Sequence, residues 1–226
     1  MTTGFFSSAW TIASKDMRAE WRSKEIFNPM LFFGLMVIVL FSFSFDPSLE
    51  ETKVIGGGLL WMAFLFSGML AMNQSFPREM ADRTLHALRL APIPPAALFA
   101  GKFLSNFLFV LLAECVLTPL FAMFFNLPLY EILGRFLAIL VTGTWGIVIT
   151  GTFFSALTLH TRMRELMMPL LLLPISVPQM IAVVEATAQL FKEHTLSTLW
   201  IRQLVGYDVV FTILALLLFR FVIEDA

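Results

Sequence analysis

The 226-residue sequence predicts an all-α integral membrane protein: six transmembrane helices preceded by an interfacial amphipathic helix. Three observations carry this. Hydrophobic residues make up 58% of the chain and charged ones only 14%, with a mean hydropathy of +0.84; a soluble domain holds about 45–50% apolar residues. Six runs are long and apolar enough to reach the ~20 residues a spanning helix needs. Finally, Lys and Arg fall on alternating connections in a strongly one-sided way.

The first element precedes the spans, within residues 5–27. Phe6, Trp10, Ala13, Met17 and Trp21 recur every three or four residues, with Lys15, Asp16, Arg18 and Arg22 largely opposite. That periodicity predicts an amphipathic helix lying in the headgroup layer. Asn28-Pro29 should then break the helix and turn the chain into the bilayer, because proline disfavours helical geometry in the residue before it. No cleavable signal peptide is expected, since the first apolar run follows a long mixed-charge stretch and ends in bulky Phe43-Ser44-Phe45.

The spans are placed at 28–45, 54–75, 97–125, 131–158, 166–190 and 204–223, within a single transmembrane domain covering 1–226. The third and fourth exceed what a bilayer requires, and Pro119 is the expected bend in the third. Ala138, Thr142, Gly146 and Thr150 form a small-residue stripe on the fourth, with Gly143 and Gly151 beside it. Such a stripe admits a close helix neighbour, either a second copy or, preferably, another helix of the same chain. In the fifth, Pro169, Pro174 and Pro178 predict an interrupted helix whose freed carbonyls need other donors. Residues 191–203 read as a short outer-surface or re-entrant helix pair. With the N-terminus in the cytoplasm, eleven of the fifteen Lys and Arg fall inside and only Lys53, Arg135, Lys192 and Arg202 outside. Both termini are therefore expected to be cytoplasmic. The two halves share no motif that would mark an internal duplication.

Several chemistries are excluded by what the sequence lacks. There is no G-x-x-x-x-G-K-[ST] loop, since Gly101-Lys102 is followed by Phe103. The single cysteine, Cys115, allows neither an internal disulfide nor a multi-cysteine metal cluster, and is expected to be a small buried residue on a membrane helix. The net charge of −1, without a basic stripe, gives no sign of nucleic-acid binding. His86, His160 and His194 are scattered, and His194 is a weak candidate on the outer face. Glu114, deep in the third span, is the intramembrane acid with the strongest claim to a function, against the alternative of a hydrogen-bonded acid joining two helices. Glu185 and Asp208 are read as lying near the outer ends of their spans.

The connector 76–95 stands apart. From Arg78 to Arg89, apolar Met80, Leu85 and Leu88 alternate with Glu79, Asp82, Arg83 and Arg89, and Pro92, Pro94 and Pro95 stiffen the exit. Such a helix can set its apolar side in a partner's groove and fix orientation with charge. It is equally readable as an ordinary positively charged loop. The shorter connection His160, Arg162, Arg164, Glu165 would be a second contact on the same side.

The run Phe76-x-x-Glu79-x-x-Asp82-x-Thr84-Leu85-x-x-Leu88-x-x-x-Pro92-x-Pro94, followed by Ala100-Gly101-Lys102, resembles the signature loop of the haem exporter B permeases of cytochrome c maturation. Asn28-Pro29-Met30-Leu31-Phe32-Phe33, Thr118-Pro119-Leu120 and Leu173-Pro174-x-x-x-Pro178 resemble their first, third and fifth spans. The sequence departs from that pattern at Arg83 and His86, which stand where a small residue and an acid are usual. The resemblance implies an ABC-2-type exporter permease layout in a bacterial inner membrane. It implies a non-catalytic subunit that couples ATP hydrolysis by a separate ATPase to haem export or to release of a haem-loaded chaperone. The implied partners are two ATPase copies, a second copy of this chain, a haem-handling membrane protein, a small membrane peptide and the haem chaperone. ATP and Mg would sit on the ATPase and haem would be handled by the complex, with no cofactor bound by this chain. Glu79, Asp82, Arg83, Leu85, Arg89, Arg162, Arg164 and Glu165 are then the expected ATPase-coupling residues. The rival expectation is a permease of the same layout exporting a lipid, drug or other small molecule.

Overall fold

The structure, a computed structural model, describes residues 4–46, 50–76, 94–127, 129–159, 161 and 163–224. Seven helices run through them: α1 (Phe5–Ser23), α2 (Phe27–Ser44), α3 (Glu50–Ser75), α4 (Pro95–Phe124), α5 (Leu129–Leu157), α6 (Arg164–Glu193) and α7 (Thr198–Glu224). The last six are each long and apolar enough to cross a membrane. At about 1.5 Å per residue, the 30-residue α4 extends about 45 Å, well beyond a ~30 Å hydrocarbon layer.

The break between α1 and α2 falls at Lys24–Ile26, earlier than Asn28-Pro29 suggested. Lys24 adopts the left-handed conformation that closes a helix, with φ 55°. Pro29 sits in the first turn of α2, where its missing N–H would have had no intrahelical partner anyway. Glu20 completes the corner: one carboxylate oxygen accepts the N–H groups of Ile26 at 2.7 Å and Phe27 at 2.9 Å. A side chain from one helix thus caps the start of the next.

The elbow helix α1 has two apolar sides, not one. Ala9, Ile12 and Ala13 are buried against α4, whereas Phe6, Trp10 and Trp21 point away from the protein, 61–85% exposed. The large aromatics are therefore free to meet lipid, and the small residues set how closely α1 lies on the bundle. Asp16, expected on the solvated side, is largely covered.

Helices α3, α4 and α5 form the centre, and consecutive spans lie side by side. Trp61 is fully buried and donates its indole N–H to Thr187 of α6 at 2.8 Å. Phe219 of α7 meets Phe99 of α4 at 5.0 Å and Phe76 at 5.9 Å, which gathers one end of the bundle. Gly143 and Gly151 of α5 serve internal packing: a Cβ on Gly143 would strike Trp61 and Val183, and one on Gly151 would strike Met72. By contrast α2 and α7 have little of their length buried.

Helix α6 is continuous through Pro169, Pro174 and Pro178, so the interruption expected there does not occur. Donors from outside the ladder reach its carbonyls: Tyr207 Oη to Ile175 at 3.0 Å, Gln203 Nε2 to Pro178 at 3.2 Å, and Ser176 Oγ to Leu173 at 3.0 Å. The carbonyls that lose an in-helix donor to these prolines are those four residues earlier, on Glu165, Leu170 and Pro174, so the bonds from α7 brace the proline-rich stretch beside the gaps and do not fill them. Similarly, α4 continues through Pro119. Nor do residues 191–203 form a separate helix pair. Residues 191–193 finish α6, His194 closes it in the left-handed conformation with φ 53°, and α7 starts at Thr198. Arg135 of α5 donates to the His194 carbonyl and ties that turn down.

Candidate functional site: the anchorage of the connector

Glu79, Asp82, Arg83, Leu85 and Arg89 lie outside the described residues, as do His86, His160 and Arg162. Arg164 opens α6, and Glu165 is exposed in its first turn. What the structure does place is the footing on which the connector stands. Phe76, its first residue, is 1% exposed, and Pro94 and Pro95 lead directly into α4.

One buried lysine organises that footing. Lys102, two turns into α4, is 3% exposed; its Nζ lies 2.8 Å from Asp16 Oδ2 on α1 and donates to the Ser75 carbonyl at 3.1 Å. The ammonium is also 5.8 Å from the centre of the Phe76 ring. Beneath it, Asn106 Nδ2 donates to Ser75 Oγ and to Thr152 Oγ1, both at 3.0 Å, and Ser155 Oγ donates to the Met72 carbonyl at 2.6 Å. Helices α1, α3, α4 and α5 are thus joined by polar contacts at the end where the connector begins. Buried polar groups are costly unless paired, so these contacts fix the relative positions of four helices. In the sequence Lys102 stands as an inside positive charge and as part of the Ala100-Gly101-Lys102 run, with no structural role assigned to it. The available signal was its place after Gly101, in helical register with a polar Ser105 and Asn106.

A second polar layer crosses the middle of the bundle. Glu114 is 2% exposed and accepts the Thr144 hydroxyl of α5. Gln179 of α6 donates to Asp208 Oδ1 of α7 at 3.3 Å and to the Thr142 carbonyl at 3.2 Å. Gly146 makes room for both, since a Cβ there would strike Gln179 and Asp208. Asp208 is buried near the midpoint of α7, not at its outer end. It lines a shallow cleft of about 280 Å³ with Trp145, Val205, Val209, Thr212 and Ile213. Cys115 is exposed on α4, not buried as expected. His194 is exposed in the α6–α7 turn. Among the described residues no three His, Cys, Asp or Glu side chains come together as a metal site.

The Glu114–Thr144 bond ties α4 to α5. Glu114→Gln, which retains an acceptor, is expected to leave thermal unfolding in detergent nearly unchanged. Glu114→Ala strands the Thr144 hydroxyl and opens a cavity, at a cost of about 2–4 kcal/mol. Equal damage from both substitutions would show that the carboxyl itself is required.

Six apolar helices behind an elbow helix, with buried polar groups joining helix to helix, define an integral membrane protein of permease architecture. A family model described as CcmB protein matches residues 7–224. The Heme exporter protein B of Rhodobacter capsulatus is 33% identical over 170 residues, covering 75% of this chain and 78% of that protein. That of Pseudomonas aeruginosa is 32% identical over 160 residues, 71% of each chain. The Escherichia coli K12 protein of the same name is 35% identical over 100 residues, 44% of this chain and 45% of its own. The chain belongs to the CcmB protein family.

Proposed function

We propose that this chain is the membrane-spanning subunit of an ABC complex in c-type cytochrome biogenesis. A separate ATPase hydrolyses ATP, and the permease domain, residues 1–226, converts that work into haem export or release of a haem-loaded chaperone. The observation that carries this reading is the family match over residues 7–224, with relatives bearing the name Heme exporter protein B along most of their length. The connector supports it: an amphipathic, mixed-charge segment between two spans, set on a buried polar footing, suits a soluble partner that pushes. The positive-inside bias supports a cytoplasmic side for this connector, both termini and Lys102, and the family match supports a bacterial inner membrane. A second copy of this chain, a haem-handling membrane protein and a small membrane peptide complete the proposed assembly.

Deletion of this chain tests the assignment directly. Haem staining of c-type cytochromes is expected to vanish while other membrane haem proteins persist. Normal cytochromes after deletion would reassign the permease to another exported molecule, such as a lipid or a drug.

A further inference from the structure

We propose that Lys102 is a positioning residue that carries movement of the 77–93 connector into the elbow helix α1 and, through Glu20, into the first span. This rests on the reading that an ATPase acts on the connector. A residue just before the connector bonds this lysine, and the helix after the connector carries it. Ser75, the last residue of α3, gives its carbonyl to the ammonium at 3.1 Å, and the α4 helix that begins at Pro95 carries Lys102 itself. The third arm is Asp16 at 2.8 Å, with Ser105 Oγ also within 3.5 Å of that carboxylate.

Burial makes the linkage stiff. Lys102 is 3% exposed, so an ammonium pulled from Asp16 would be left poorly solvated, and breaking such a pair from one side is strongly unfavourable. It is easier for α1 to follow α4 than for the pair to part. The backbone enforces the same result at the neighbouring residue. Gly101 lets α1 approach so closely that a Cβ there would lie 2.8 Å from both the Ala9 carbonyl oxygen and Ile12 Cβ. At its other end α1 grips the start of α2, because Glu20 accepts the Ile26 and Phe27 N–H groups. Helix α2 is the receiving element: among the described spans it packs chiefly on α3 and α4, and little of it is buried. A displacement entering at 77–93 thus has a continuous path of charge pair, helix and capped corner to one of the two least buried spans.

The test uses the assembled complex in lipid nanodiscs, with Cys115→Ser and a fluorophore on Trp10→Cys, an exposed elbow position. Addition of ATP and vanadate is expected to shift the fluorophore signal in this background. Lys102→Met should leave co-purification of the ATPase intact, lower the nucleotide-driven signal at least about fivefold, and lower haem delivery to the chaperone about tenfold or more, the range of ordinary coupling between sites. Asp16→Asn should act in the same direction, and the double variant should be no worse than Lys102→Met alone. Lys102→Arg, which keeps a cation, should recover part of the response. If Lys102→Met fails to accumulate, the Asp16→Asn signal decides. An undiminished elbow signal or wild-type haem delivery in the variants would overturn the relay and leave the ABC assignment standing. An ATPase that never co-purifies with the unmodified chain would overturn both.

Discussion

Gly101→Leu should detach the elbow helix from the bundle. The Cβ of any residue at this position would sit 2.8 Å from the carbonyl oxygen of Ala9 and 2.8 Å from Ile12 Cβ. Neither is the yielding tip of a long side chain, so the helix as a whole must move. Small residues at a helix crossing set the distance between backbones, and overfilling such a contact costs about 1–3 kcal/mol even for modest additions. A leucine adds three more carbons at the same place, and lifting α1 also pulls Asp16 from Lys102. Trypsin should then cleave after Arg18 or Arg22 in the detergent-solubilised protein, where a docked helix resists it. Gly101→Ala should be intermediate. Gly206→Leu is the control, because nothing lies within 4 Å of a Cβ there. A Gly101→Leu protein as trypsin-resistant as the parent would mean that α1 is not held by this contact.

The spans could be read from sequence because lipid makes the rule simple. Backbone groups must be satisfied within the segment, so a long apolar run is a helix and its ends follow from charge and proline. Expected and observed bounds differ by a few residues in most spans, with the largest shift at the start of α7. What could not be read is how one helix supports another. The prolines of α6 read as breaks because local rules cannot include Tyr207 and Gln203, donors more than twenty residues away that brace the same stretch at the Ile175 and Pro178 carbonyls. The glycines of α5 announced a close approach but not to what, and the answer, Trp61, Gln179, Asp208 and Met72, is distributed over three other helices. Asp16 looked like a solvated charge because α1 was judged by its aromatic stripe. Ala13, placed within that stripe, instead joins Ala9 and Ile12 on the face that packs against the bundle.

Residues 77–93 of the connector lie outside the described residues, and their composition alone suffices for a sharp expectation. Asp82→Arg should abolish co-purification of the ATPase while leaving the amount of membrane-inserted chain unchanged. Residue 82 lies between Glu79 and Arg83 in a segment of mixed charge, so docking there must match sign to sign. Removing one member of a close charge pair at an interface costs about 2–5 kcal/mol, and reversal adds repulsion to that loss. At about 1.4 kcal/mol per tenfold, affinity would fall by well over an order of magnitude, enough to lose a partner during purification. Asp82→Asn removes the attraction without the repulsion and should weaken capture less. Insertion should be spared because spans are chosen by hydropathy, and an added arginine agrees with the proposed positive-inside orientation. This separates two failures that haem staining alone would confuse: Asp82→Arg should lose the ATPase, whereas Lys102→Met should keep it and lose the response. If Asp82→Arg retains the ATPase, docking does not depend on this carboxylate, and the shorter connection around Glu165 becomes the surface to probe.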